Sequence, residues 1–477
     1  MTSTSQIPNR HAWVNALAQP AQEFPLTPLP TISGKIPTGI RGSLYRNGPG
    51  RLERGGVRMG HWFDGDGAIL GVHFSDAGAK AVYRYVQSKG YLEESAANQL
   101  IYANYGMVAP GSIWDRLFKG VKNAANTSVL ALPDKLLALW EGGKPHALNL
   151  QTLETLGEED LGGLTDGLTY SAHCKKDATT GEIFNFGVTP GLNTTLHIYK
   201  STASGRIVQK AAHTIDGMPI LHDFVLAGQY LIFFISPVRL NLLPALTGFS
   251  CFSDALEWQP KLGTQILVID RQSLQVVSRG EAEPWYQWHF SNGYVDASGA
   301  VIVDIARYED FQTNQYLKEV ATGETHTAAK SHLSRVTLNP QTGKVSKIEK
   351  ILDCQSEFPT VPPENVGRIS RYTYLSTFRP GTDIGKEILN AIARYDHDTD
   401  SLTIADVGKN CYPSEPIFVQ DSESQDKAWV ITVVYDGQLD TSQVWIYDAE
   451  RLEAEPVCKL ELPHVIPHGF HGTWKPN

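Results

Sequence analysis

The chain has 477 residues, 42% hydrophobic and 19% charged, enough to bury one large or two to three ordinary cores, which excludes a disordered chain. A formal net charge of −10 argues against nucleic acid as a partner, because phosphate neutralisation needs a basic face. No stretch reaches the ~18 uninterrupted apolar residues of a spanning helix, and residues 1–22 lack the apolar run of a leader, so the expected location is cytoplasmic, at most peripheral to a membrane.

The five cysteines, Cys174, Cys251, Cys354, Cys411 and Cys458, are widely spaced without a CxxC pair and read as reduced thiols. The 42 glycines, 27 prolines and abundant Trp, Tyr and Phe suit an all-β chain with many turns.

In chain order, the first strand-turn-strand unit alternates through 69–74, turns at 76–78 and continues through 80–86. An interruption follows at 112–123. There Ile113, Trp114, Leu117, Phe118 and Val121 recur at helical spacing opposite Asp115, Arg116, Lys119 and Lys122, which predicts an amphipathic helix. Similar hairpins recur at 146–150 turning near Thr152, and at 195–199 turning at 204–205. A second apolar, irregular interruption occupies 240–252, around Leu243. Four more hairpins start at 265–270, 334–338, 391–395 and 444–447. Seven strand-turn-strand units without long intervening helices favour radial repetition. The fold expected is therefore an all-β, seven-bladed β-propeller forming a single domain over 1–477. Insertions near 100–125 and 239–262 would supply a helical or loop dome and an apolar entrance. Two stacked β-sandwiches remain the alternative.

Pro463 to Trp474, followed by three more residues, sets three histidines among prolines, glycines and apolar residues. Termini usually fray, so something must pin this one. Of the fifteen histidines, His11, His213, His326, His332 and His397 sit in polar, turn-like contexts and are expected to be exposed. Four stand apart: His173, His222, His289 and His471, separated by about one, one and three blades. Inner strands of a propeller converge on one axis, so one imidazole from each of four blades would meet there as a metal site. Three glutamates lie in apolar or Gly/Pro contexts, Glu141, Glu357 and Glu415. A buried carboxylate is costly unless paired, and a metal-bound imidazole usually donates its second N–H to one. From residues alone, four imidazoles suit zinc, copper, nickel or iron, and the choice stays open.

Ordered matches run along the whole chain: Leu44 to Gly50 (LYRNGPG), His61 to Gly67 (HWFDGDG), Ala125-Asn126-Thr127, residues 136–143 (LLALWEGG), Ser171-Ala172-His173, His222-Asp223-Phe224, Glu357-Phe358-Pro359, Glu415 to Phe418 and Phe470 to Trp474. By these the chain resembles the carotenoid cleavage oxygenase family. The resemblance implies a seven-bladed propeller with one Fe(II) per subunit held by His173, His222, His289 and His471, and with O2 as co-substrate. It places the supporting glutamates at Glu141, Glu357 and Glu415. It also matches Thr127 to a threonine whose methyl group crowds one coordination position. Two departures stand out. Phe290 follows His289 where relatives usually carry a second histidine, and Cys174 follows His173 where they usually carry proline. His468 is read as structural rather than a fifth ligand.

The activity so implied is oxidative cleavage of one C=C bond of an apocarotenoid, at 15,15′, giving retinal and a second carbonyl product. The alternative is a stilbene-cleaving dioxygenase of the lignostilbene or resveratrol type. Trp140, preceding Glu141, offers an apolar wall where stilbene-cleaving relatives carry lysine, and so favours the apocarotenoid. An apolar polyene would be the small-molecule partner, with no obligatory protein partner. Expected tunnel-lining residues are Phe63, Trp140, Trp288 and Phe290, with Trp114, Phe118 and Leu243 at a mouth that touches a membrane surface.

Overall fold

A computed structural model describes residues 11–112, 116, 119–241 and 249–477. Its strands form seven large sheets arranged as a seven-bladed β-propeller. Each of the seven hairpins expected from the sequence lies in a different sheet. Asp66–Ser75 pairs with Gly78–Tyr85 in blade 1, and His146–Leu148 with Thr155–Glu158 in blade 2. Thr194–Ser201 pairs with Ile207–Ile215 in blade 3, and Thr264–Asp270 with Val276–Ala282 in blade 4. Blades 5, 6 and 7 repeat the arrangement at Ser331–Leu338, Ala391–Asp396 and Thr441–Asp448.

The ring is closed twice. Near the N-terminus, Thr31–Gly34 pairs with Cys458–Glu461 at the outside of blade 7. The C-terminal strand Gly472–Pro476 pairs with Gly42–Arg51 at the inside of blade 1, setting Leu44 opposite Trp474 and Arg46 opposite Gly472. The His-rich tail is thus pinned by sheet hydrogen bonds, reinforced by Asn47 N–H donating to His471 O at 2.9 Å.

Blades stack face to face, so their middle strands are buried on both sides and lose the one-sided alternation of a surface sheet. Tyr230–Ile235, entirely apolar and entirely buried, is the clearest case. Leu231, Phe233 and Ile235 pack with Phe184 and Leu196 of blade 3. The intervening Ile232 and Phe234 pack with Trp285 and Val303 of blade 5. Each such side chain contributes roughly 1.5–3 kcal/mol by leaving water.

The dome differs from expectation in two respects. A helix not anticipated from sequence, Gln312–Thr322, is inserted in blade 5 and ends at Gly323, whose φ of 83° suits the left-handed cap. It buries Val320 against Trp13, Leu17 and Met59. In the stretch read as an amphipathic helix, Ile113, Trp114, Asp115, Leu117 and Phe118 lie outside the described residues. At its end the polarity is the reverse of that expected. Val121 is 62% exposed and Lys122 is buried. The reason is electrostatic: Lys122 Nζ lies 2.8 Å from Asp66 and 2.9 Å from Glu94, and Arg54 also reaches Asp66 at 2.6 Å, all four groups being buried. Part of the 240–252 stretch, residues 242–248 with Leu243, is likewise outside the described residues.

Of the five histidines expected at the surface His326 is exposed; His11, His213 and His332 are half-buried, and so is His397. It sits between blades 5 and 6, with Nδ1 3.0 Å from Arg335 and Nε2 3.0 Å from Thr373. All five cysteines are free. Among the described residues no helix is long and apolar enough to cross a membrane.

Candidate metal centre

Every blade places a group at the axis. His173 precedes the inner strand Lys175–Lys176 of blade 3, and His222 precedes Val225–Ala227 of blade 4. His289 lies within Tyr286–Val295 of blade 5, and His471 directly precedes Gly472–Pro476 in blade 1. Glu357 opens the inner strand Glu357–Thr360 of blade 6. Glu415 falls between the two short inner strands Cys411–Pro413 and Ile417–Gln420 of blade 7. Blade 2 supplies Thr127, just before Ser128–Ala131, and Glu141, just after Leu136–Leu139.

The four imidazoles converge. His173 Nε2 is 2.9 Å from His222 Nε2, which is 3.3 Å from His289 Nε2. One ring nitrogen from each of the four lies within 4.8 Å of the others. Two nitrogens each ~2.1 Å from one ion would sit ~3.0 Å apart at a right angle and ~3.4 Å apart at the tetrahedral angle, so these spacings fit a single metal ion. Three outer nitrogens face carboxylates. Glu357 Oε2 is 2.5 Å from His289 Nδ1, Glu415 Oε1 is 2.9 Å from His471 Nδ1, and Glu141 Oε1 is 3.1 Å from His222 Nδ1. An N–H held on Nδ1 leaves the Nε2 lone pair facing the centre.

Two of the three carboxylates are themselves fixed. Glu357 also accepts from Tyr308 Oη at 2.6 Å and from Phe358 N at 3.0 Å. Glu415 Oε2 accepts from Gly472 N at 2.7 Å, with Arg46 3.8 Å away. Burial pushes both acids upward, but the adjoining imidazole and these donors outweigh it, and both stay below the ordinary glutamate value. Burial, and then the three facing imidazoles and Lys175, hold His173 well below its ordinary value. A neutral ring is the form that binds a metal.

The cluster borders a cavity of about 960 Å³, lined by His222, His289, His471 and Thr127. Its volume is near the top of the range for small-molecule sites. Phe63, Trp140 and Trp288 line it, and Phe358, not anticipated in this role, adds a ring 5.1 Å from those of both His289 and His471. Phe290 does not line it. Next to His289 on the strand, its ring turns away into the core beside Phe234, 5.7 Å between centroids. Val121, Leu192 and Phe252 line the cavity while remaining 62%, 94% and 39% exposed, marking its mouth. Trp114, Phe118 and Leu243 lie outside the described residues. His468 is structural: its Nε2 donates to Trp13 O at 2.9 Å, and its ring packs on Tyr412 and Tyr435.

Asp223 is not among the site residues the sequence singles out, yet it is buried beside the cluster. Its position directly after His222, between Leu221 and Phe224, was the available signal, because an acid in that apolar context needs partners.

A closed propeller with four imidazoles from separate blades meeting beside an apolar cavity defines the class: a β-propeller protein whose axial histidine cluster is fit to hold a metal ion. The family model described as retinal pigment epithelial membrane protein matches residues 17–476. The chain is 31% identical over 455 residues to apocarotenoid-15,15′-oxygenase of Synechocystis sp., covering 93% of this chain and 92% of that one. It is 26% identical to resveratrol cleavage oxygenase 1 of Aspergillus fumigatus, covering 93% and 91%. The crystal structure of cobalt-substituted Synechocystis ACO superposes with a TM-score of 0.87 at 29% identity, covering 98% of each chain. The chain therefore belongs to the carotenoid cleavage oxygenase family, whose model carries the name of the retinal pigment epithelial membrane protein. Its relatives are oxygenases and dioxygenases.

Proposed function

We propose that this chain is a non-haem Fe(II) dioxygenase that cleaves one C=C bond of an apocarotenoid, at 15,15′, giving retinal and a second carbonyl product. The observation that carries the reading is the opening of the four-imidazole cluster directly onto a large apolar cavity. His173, His222, His289 and His471 would hold the iron. Held there, iron would supply activation of O2 for a cleavage that leaves one oxygen atom on each carbon of the broken bond.

The protein's own work is positional. Glu357 and Glu415 keep a proton on Nδ1 of His289 and His471, so that each Nε2 faces inward, and Glu141, whose Oε1 lies 3.1 Å from His222 Nδ1 but accepts no hydrogen bond there, is placed to do the same for His222 after a small reorientation. Phe63, Trp140 and Trp288 give a polyene flat apolar walls, excluding water and presenting one double bond to the centre. Thr127 faces the cavity beside the cluster and narrows the space a small molecule can enter. The exposed apolar mouth at Val121, Leu192 and Phe252 supports peripheral contact with a membrane from which an apolar substrate is drawn.

The similarity to a resveratrol cleavage oxygenase supports stilbene cleavage as the second reading. Against it, Trp140 offers an apolar indole and a single N–H donor. The test is to incubate iron-loaded protein with apocarotenals, apocarotenols and hydroxystilbenes under 18O2, with mass spectrometry of the products. Retinal from an apocarotenal, with one 18O in each of the two newly formed carbonyls, is the expected result. Cleavage of stilbenes alone would establish the second reading, and no O2 consumption with any of them would overturn both.

A further inference from the structure

We infer that Asp223 is a positioning residue for the histidine cluster, its single buried carboxylate fastening together the segments that carry His173, His222 and His289. The inference rests on the reading of those imidazoles as metal ligands. Asp223 is 4% exposed and immediately follows His222. Its Oδ1 lies 2.7 Å from Lys175 Nζ, two residues past His173, and accepts from its own neighbour Phe224 N at 2.7 Å. Its Oδ2 accepts from Phe290 N at 3.1 Å, one residue past His289. One side chain therefore spans blades 3, 4 and 5 within two residues of each ligand.

The glutamates act differently. Each of them faces one ring nitrogen, whereas the nearest imidazole nitrogen to Asp223, His173 Nδ1, is 4.0 Å away. Asp223 instead holds backbone and a cation, which sets the spacing between three blades at the point where they converge. His173 is the ligand with no glutamate partner; its backbone N–H is held by Ser171 Oγ at 3.2 Å, and the Lys175–Asp223 pair is the charged restraint on its segment. Both carboxylate oxygens are needed. An asparagine in this place must turn its NH2 toward either the Lys175 ammonium or the Phe290 N–H, opposing a donor to a donor. Lys175 in turn neutralises a charge that would otherwise be buried and unpaired.

Apo protein titrated with cobalt(II) tests this, with affinity read by chelator competition, ligand geometry by the visible d–d bands and folding of the apo chain by urea. Asp223→Asn is expected to weaken cobalt binding about 10- to 100-fold and to alter the d–d bands while the apo chain still unfolds cooperatively. Lys175→Met is expected to weaken it less, and the double variant should be no weaker than Asp223→Asn alone, because the two residues act as one unit. Should Asp223→Asn fail to fold, Lys175→Met carries the comparison, since its side chain reaches the surface. Unchanged affinity and bands in the variants, or single effects that simply add, would overturn the clamp. A parent chain that takes up no cobalt would overturn the metal reading and the clamp with it.

Discussion

Glu357 and His289 make the closest carboxylate–imidazole contact of the cluster, Oε2 to Nδ1 at 2.5 Å, with Tyr308 Oη on the other carboxylate oxygen at 2.6 Å. The contacts lengthen to 2.9 Å at Glu415 and 3.1 Å at Glu141, whose side chain is also the most exposed of the three at 31%. Glu357→Gln and Glu415→Gln are expected to weaken metal binding about 10- to 100-fold, as loss of an imidazole's outer partner generally does. Glu141→Gln should have the smallest effect. Chelator competition on the three variants measures the order, and an equal or larger loss at Glu141 would contradict it.

His222 Nε2 has two close neighbours in the cluster, His173 Nε2 at 2.9 Å and His289 Nε2 at 3.3 Å. His222→Ala is expected to abolish iron binding without unfolding the propeller. Metal analysis of the purified variant checks this. Full iron occupancy would remove His222 from the ligand set.

The buried Arg54–Asp66–Lys122–Glu94 network joins the helix Lys89–Ala97 to the segment that ends at the cavity mouth. Lys122→Met leaves Asp66 and Glu94 short of a cation in a dry site, and breaking a buried pair in this way costs about 3–5 kcal/mol. A markedly lower urea midpoint is the expected outcome. An unchanged midpoint would show that the network contributes no net stability.

Acid should destabilise the fold through His468. Burial lowers its pKa from 6.5 to about 4, only partly offset by its hydrogen bond to Trp13 O. Below pH 6.5 the unfolded chain therefore takes up a proton that the folded chain refuses. The stabilisation is complete above that pH and is lost as pH falls toward 4, on the order of 3 kcal/mol in all. His61, lowered chiefly by burial to about 3, acts in the same direction. In His468→Gln, whose amide still offers a donor to Trp13 O, the loss of stability between pH 7 and 5 should shrink. The same slope in parent and variant would assign it elsewhere.

Much of this architecture was readable from sequence because each blade's outer hairpin alternates through a recognisable turn, as at 194–215 and 264–282. The inner strands were not readable as elements. Val225–Ala227 has three residues and Lys175–Lys176 two, too short for any periodicity, although the histidines beside them carry the chemistry. Phe290 was misplaced because a ligand's neighbour on a strand points the opposite way. Lys122 was assigned to the polar face because its partners, Asp66 and Glu94, are distant in sequence. The helix Gln312–Thr322 was missed because its apolar residues are few and gain their partners only from distant segments such as Trp13 and Met59.

The most direct test is anomalous diffraction at the iron absorption edge from crystals of the iron-loaded protein. A single peak within bonding distance of Nε2 of His173, His222, His289 and His471 is expected. A peak elsewhere, or one touching only some of these rings, would contradict a four-histidine iron centre.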